Sequence, residues 1–494
     1  MASTLKPDRE EKPDSRPLQL CIFDDRRGTV EGEEPDKILA FFPADVPVDE
    51  QTAAVGLVQA MVAFTSIFSQ DAPADTMQAE KHRWVIHTCE PHIQMMLIAN
   101  RQWHSAPVRD EGLRHLLRQL YSIFTLLHGP LQRLLDQDAS GSAARTALKG
   151  VVAEFGDRLA RGKGNEFISL HNPLSMRDGV PWLPLPRPLF TSMQSIINTL
   201  MLTSIRGSPA VHGALLLHEH FLLWSTVALA DTSALYQCAL HALLPAVRAV
   251  TQPSISKRLA KALPNSTASF RSRSAVQPQR VPLSSKAWRL LPTGVLGLRN
   301  GDAPYDANAD VDIPHTWLQG GETQCGLLPF RAGDFLLLVL LNDRMSASPE
   351  VLSAISQAAV APLKKLSGRA TEELHRVNRF HVPGYRYLYK DTMLGAVRAS
   401  PASKVATLSK ESLALANSVR AELDAEERCR EAEPTQVRYA EVLVRGPHDC
   451  WVTAKQAGQH EVSIVLEQRN EDDLLEVSKV AQKLTSKHMP NTFA

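Results

Sequence analysis

Short apolar runs alternate along this chain with longer stretches in which apolar residues recur every three or four positions, and the order of the two sets the expected elements. QLCIFDDR and KILAFFP predict two short strands joined across the turn-like segment from Gly28 to Pro35. A helix follows from about Asp49 to Ser69. RWVIHTCE and IQMMLIAN predict two further strands, with Pro91 breaking the run between them. DEGLRHLLRQLYSIFTLLHG then carries helical spacing to a stop at Gly129, and a last helix covers about Ser142 to Leu159. Sheet, interposed helix, more sheet and more helix is the order of an antiparallel α+β module with helices on the faces of its sheet. This module is expected over 18–165, behind a disordered N-terminus at 1–17.

The pattern then recurs twice. A helix near Leu189 to Thr203, strands in VHGALLLHEH and FLLWSTVALA, and a helix from about Thr232 to Val247 open a second module, expected over 166–375. From Thr251 to Arg289 the chain turns rich in Ser, Pro and Ala. It carries the basic residues Lys257, Arg258, Lys261, Arg271, Arg273, Arg280, Lys286 and Arg289 and no acidic one. Such a stretch cannot bury enough apolar area to offset its chain entropy, so a disordered basic linker is expected at about 251–304. CGLLPFR, DFLLLVLL and a helix starting near Ser348 complete the second module. The third, over 376–494, reads as strands in FHVPGYRYLY and TMLGAVR, a helix from Lys404 to Glu426, strands in QVRYAEVLVR, CWVTAKQ and HEVSIVLEQ, and a closing helix in EDDLLEVSKVAQKLTSKH. The repeated order suggests three divergent copies of one unit, although no repeat is visible in residue identity.

Composition narrows the function classes. Lys and Arg number 54 against 53 acidic residues, which argues against a whole-molecule field that gathers nucleic acid, so any charged partner must meet a local patch. The opening MASTLKPDREEKPDSRP has no apolar core and is not expected to be a secretory signal. No uninterrupted apolar run has the length a membrane-spanning helix needs; the best, Phe335 to Leu341, is strand-sized. The six cysteines lie far apart without a CxxC pair, and buried free thiols are expected rather than disulfides or zinc.

Catalytic placement devices are missing: the chain contains no GxxxxGK[ST], GxSxG, HExxH or GxGxxG. In HEH, His218 and His220 would share one strand face as metal ligands do, but no third ligand lies nearby and an exposed strand edge is the plainer reading, so no metal or other cofactor is expected. His82, His87 and His92 fit neither one helical face nor one strand face. The acidic run Glu31, Glu33, Glu34 and Asp36 lacks the spacing of a calcium loop and reads as a solvated turn.

Two features suggest binding. In the first-module helix Leu57, Met61, Phe64 and Phe68 form one apolar stripe and Val55, Val58 and Val62 a second, a wider arc than one sheet face requires. The excess stripe serves either a partner or the module's own later helices, and the spacing does not choose. Lys257, Arg258, Lys261, Arg271 and Arg273 of the linker could reach an anionic leaflet, with a solvated linker as the plainer reading.

FDDRRGTVEGEE from Phe23, DKILAFFPADVP from Asp36 and QTAAVGLVQAMVAF from Gln51 resemble the N-terminal longin signature of the Ccz family of vacuolar fusion proteins. Phe68, Ser69 and the Glu90-Pro91 step extend it, and CWVTAKQAGQHEVSIVLEQ from Cys450 is similar to that family's last hairpin. LFTSMQSIINTL and the strands after the linker match in outline. The resemblance implies three longin-like modules, each an antiparallel sheet flanked by helices, and a heterodimer with a Mon-type tri-longin subunit. That pair would promote guanine nucleotide exchange on a Rab-seven-class GTPase without a cofactor, recruited from the cytoplasm to anionic or phosphoinositide membranes of the late endosome and the vacuole or lysosome. A third regulatory subunit is compatible with the resemblance, and no nucleic acid is implied. In such a complex the first longin domains pair and present the GTPase surface, which directs attention to Leu57, Met61, Phe64 and Phe68 and, on KILAFFP, to Lys37, Phe41 and Phe42. A longin adaptor without exchange activity is the alternative.

Overall fold

The computed structural model describes residues 16–68, 74–101, 109–161, 172–174, 179–183, 185–205, 207–251, 288–291, 293–298, 310–342, 345–378, 384–431, 439–446, 450–467 and 474–488. It is an α+β protein of antiparallel sheets flanked by helices, with Val180–Pro181 the single parallel addition among the named strands. The chain divides into two compact units, residues 1–118 with 140–171, and residues 119–139 with 172–494.

In the first unit β1 (Leu18–Asp24) and β2 (Ile38–Phe42) flank a turn that ends in a short 3-10 segment, Glu34–Lys37; α1 (Val48–Phe68) follows, then β3 (Thr76–Gln78), β4 (His82–Glu90) and β5 (Ile93–Asn100). α2 (Asp110–His128) and α3 (Leu131–Gln137) carry the chain out of this unit, and α4 (Ser142–Ala160) returns to it. The sheet order is β2-β1-β5-β4-β3. Alternation along the strands places Cys21, Phe23, Trp84, Ile86, Met96 and Ile98 on one face, where Val55 and Val58 of α1 complete the core. Phe42 points to the other face and meets α4 at Gly156, where a Cβ would lie 2.6 Å from the Phe42 ring. The close approach of helix to strand therefore needs glycine.

The second unit holds two large sheets. The first contains β9 (Val211–His218), β10 (Phe221–Ser225), β13 (His315–Leu318), β14 (Thr323–Ala332) and β15 (Phe335–Asn342), in the order β10-β9-β15-β14-β13. β15 is central and buried on both faces, which is why Phe335 to Leu341 reads as a continuous apolar run without alternation. One of its faces packs with α5 (Arg187–Met201), α8 (Pro349–Ile355) and α9 (Ala361–Asn378), the last two joined by a π turn at Ser356–Val360. Ser348 caps α8 by accepting from the Val351 amide, as a Ser-Pro step at a helix start should. Between β10 and the linker lie α6 (Leu229–Cys238), a π turn at Ala239–Leu243, and α7 (Leu244–Thr251).

The other large sheet has β16 (Tyr385–Asp391), β17 (Ala396–Ala399), β18 (Tyr439–Arg445), β19 (Trp451–Ala457) and β20 (His460–Leu466), with α10 (Ala402–Val405), α11 (Lys410–Glu431) and the closing α12 (Leu474–His488). Its order, β18-β19-β20-β16-β17-β6, ends on a strand from far earlier in the chain, β6 (Val180–Pro181). There Val180 donates its amide to the Gly395 carbonyl, while Trp182 bridges Leu222 of β10 and Leu183 donates to the Leu222 carbonyl. Residues 179–183 therefore strap the free edge of one sheet to the free edge of the other.

Two expectations need correction. The helix expected from Lys404 to Glu426 is two helices: Ser409 accepts from the Ser412 amide and starts α11 afresh. Within the stretch expected as a disordered linker, about 251–304, β11 (Trp288–Leu290) pairs with β12 (Leu296–Leu298), with Trp288 and Leu296 buried and Val295 bridged to Phe330, so this part of it is ordered. The strands β7 (Ser204–Ile205) and β8 (Ser208–Pro209), like β3, β6 and β13, have no apolar run to announce them. Most of residues 1–17 and all of 252–287 lie outside the described residues.

Candidate interaction surface

The turn after β1 is built by its charged residues. Asp24, nearly fully buried, accepts from the Arg26 amide at 3.1 Å and from Arg26 Nε and Nη2 at 2.9 Å. His92, held at positive φ in the β4–β5 turn, brings its Nδ1 to 3.0 Å from Asp25. Arg27 donates to the Asp36 and Ser140 carbonyls, and Arg145 of α4 to Asp36, Ile38 and Ser140. Gly28 sits at φ +52, and a Cβ there would collide with the Glu33 carbonyl. FDDRRG is thus a brace that fixes where β2 starts. The acidic run belongs to the same turn: Glu34 accepts from the Gly32 amide and Asp36 pairs with Arg145. Backbone hydrogen bonds hold the Glu34 carboxyl below its ordinary value.

The brace sets β2 at the edge of the sheet, beside α1. Lys37 donates to Gln59 Oε1 of α1 at 3.0 Å and Phe41 packs half-buried beneath that helix. Phe42 is buried on the opposite face against α4, so it supports the surface without reaching it. α1 itself divides as its two stripes suggest. Val55 and Val58 are sunk into the sheet and Val62 packs against them, whereas Leu57 and Phe64 stand out, Phe68 is 76% exposed, and Met61 is half-buried. Phe64 and Phe68 meet edge to face with centroids 5.1 Å apart. Ile67, 74% exposed, joins them and was not singled out from the sequence, although its place three residues after Phe64 was a sufficient signal. α1 is also long and apolar enough to cross a bilayer by length and composition, which a search for uninterrupted runs misses because Gln59, Thr65 and Ser66 break the series.

Other candidates resolve differently. Glu219 adopts φ +52, so the chain turns between His218 and His220 and the two imidazoles do not share a strand face. His218 is buried, with Nε2 3.1 Å from Thr371 Oγ1 and its ring edge-on to Phe335, and burial pushes both histidines below their ordinary value. Among the described residues no cluster of three His, Cys, Asp or Glu could hold a metal ion. Cys21, Cys238, Cys325 and Cys450 are buried and in no disulfide, and burial pushes the half-buried Cys89 up to about 12, which disfavours its thiolate. Lys257, Arg258, Lys261, Arg271 and Arg273 lie outside the described residues.

Comparison with known proteins bears on what such a surface is for. The family described as the first longin domain of INTU, CCZ1 and HPS4 matches residues 18–129. A vacuolar fusion protein CCZ1 homolog of Oryza sativa subsp. japonica is 30% identical over 494 residues, covering 96% of this chain and 97% of that protein. This chain belongs to the CCZ1 family. Vacuolar fusion protein CCZ1 homolog A of Arabidopsis thaliana is 27% identical over 514 residues, covering 96% and 98%, and a CCZ1 homolog of Dictyostelium discoideum is 22% identical over 485 residues, covering 96% and 97%. The first longin domain of this CCZ1-family chain is the part that presents α1, and the likeness extends through both units.

Proposed function

We propose that this chain is the Ccz-type subunit of a heterodimeric guanine nucleotide exchange factor acting on a Rab-seven-class GTPase in traffic to the vacuole or lysosome. Its three sheets serve as three longin-type modules; the first pairs with a Mon-type tri-longin subunit, and a third regulatory subunit can join. The observation that carries this reading is the exposed stripe of α1. Leu57, Phe64, Ile67 and Phe68 form an apolar surface on a helix whose opposite side is already buried, and burying them against a partner contributes about 1 to 2 kcal/mol apiece. Lys37 and Phe41 border that surface.

Exchange of this kind is catalysis by differential binding. The complex binds the nucleotide-free GTPase more tightly than the nucleotide-bound form and so lowers the barrier to release, with no nucleophile or general base required. The same reading places the complex in the cytoplasm, with peripheral contact to anionic or phosphoinositide membranes of the late endosome and vacuole.

Release of a fluorescent GDP analogue from the GTPase tests this, using this chain alone, the Mon-type subunit alone, and the two together. Acceleration is expected only from the pair, and Phe64→Asp with Phe68→Asp should abolish both pairing and acceleration. A stable pair that leaves release at the spontaneous rate makes the chain a longin adaptor instead; absence of pairing removes the reading altogether.

A further inference from the structure

Three turns of the second unit meet where residues 179–183 join its two sheets. The end of α5 leaves Leu202 83% exposed. Next to it, Thr226 places its Oγ1 3.8 Å from Met201 Sδ, and the segment leads through Ala228 to Leu229 at the start of α6. Leu229 in turn packs on Gly395, in the turn between β16 and β17 that exposes Met393, at 65%, and Leu394. Leu229, Met393 and Leu394 are thus brought together in solvent, and Leu202 stands exposed one residue beyond Met201, which Thr226 touches.

Their setting says what they fit. Each stands on a turn or a helix end, so they offer no groove to seat a helix. Both neighbouring sheet edges, β10 and β17, are already occupied in part by the strap, which leaves little free edge for strand addition. The turn backbone is satisfied from within: Asp391 Oδ1 accepts from the amides of Met393 and Leu394 at 3.0 Å, and Thr392 donates both amide and hydroxyl to the Gln459 carbonyl. Residues 202–203, 226–230 and 392–395 contain no acid, and the adjoining Asp231 and Asp391 are buried and accept from backbone amides. Protruding apolar side chains on a self-satisfied, uncharged turn can enter an interfacial lipid layer without stranding a polar group or repelling an anionic headgroup.

We propose that Leu202, Leu229, Met393 and Leu394 form a lipid-inserting tip that enters the interfacial layer of a bilayer. The proposal deepens the membrane contact in the reading above but rests on neither exchange activity nor the basic linker. The test is flotation of the full chain with phosphatidylcholine vesicles and with the same vesicles containing phosphatidylserine. Met393→Ser with Leu394→Ser should weaken partition to both by about tenfold or more, since two exposed apolar side chains lose their burial. A second measurement does not depend on that variant folding: Met393→Trp should show fluorescence quenched by lipids brominated on their acyl chains, beyond the quenching of the parent protein. Unchanged flotation of the serine variant, or no added quenching at 393, overturns the proposal. Loss of binding to the Mon-type subunit with flotation intact also overturns it and reassigns the tip to a protein interface. GDP release measured without vesicles separates the two readings, because the serine variant should leave it unchanged.

Discussion

Asp24 shows how a single side chain ties sequence to surface. Burial alone would raise its carboxyl, but the hydrogen bonds and charge of Arg26, with the charge of Arg27, outweigh burial and leave it below the ordinary carboxylate value. A carboxyl depressed by folding adds stability above its unfolded value of about 3.9 and loses it as pH falls through the lower folded value. Asp24→Asn should therefore cost about 1 to 2 kcal/mol near neutral pH and should flatten the loss of stability on acidification below about pH 4. Urea titrations of both proteins at neutral and acid pH check this; equal pH slopes would show that the Arg26 contact carries no stabilising charge. The FDDRR signature was legible as a resemblance, yet its physical role was not, because His92, Arg145 and the Ser140 carbonyl that complete the brace lie far along the chain.

At the scale of elements, attachment of helix to sheet decides how firmly each surface is held. Gly156→Ala should destabilise the first unit although alanine favours a helix by about 1 kcal/mol over glycine, because the new Cβ meets Phe42. Adding Phe42→Leu should restore part of the loss, and thermal melts of the single and double variants measure it. In the second unit α11 is fixed to β20 by the ion pair of Arg420 with Glu461, both nearly buried. Arg420→Met leaves a buried carboxylate without its cation and should cost about 3–5 kcal/mol, while Arg420→Met with Glu461→Leu should recover most of it. A double variant no better than the single would mean that packing, not charge, sets the cost. The strands and helices with strong periodicity, such as Ile93–Asn100 and Asp110–His128, were readable to within a residue or two. The break at Ser409 was visible as a capping serine but was overridden by the helical spacing on either side. The α1 stripes were legible as two faces, and only tertiary structure showed which face the sheet takes.

At the scale of the molecule, the strap of residues 179–183 makes the two sheets of the second unit depend on each other. Gly179 lies so close to Val397 that any Cβ there would collide with it. Gly179→Val should therefore speed hydrogen exchange at the amides of Val180 and Leu183 together, with the centre of β15 unchanged; exchange raised at one end of the strap alone would mean that the sheets are held separately. The strap also imposes an order in time. Val180 leaves the ribosome before any other strand of either large sheet, yet its parallel partner, Ala396 with Val397, is made only after the whole of the sheet containing β15. During synthesis this short segment must wait with one side unpaired until Ala396 and Val397 have emerged. Until then its open edge can pair with a neighbouring chain, and faster synthesis of the later strands shortens that exposure.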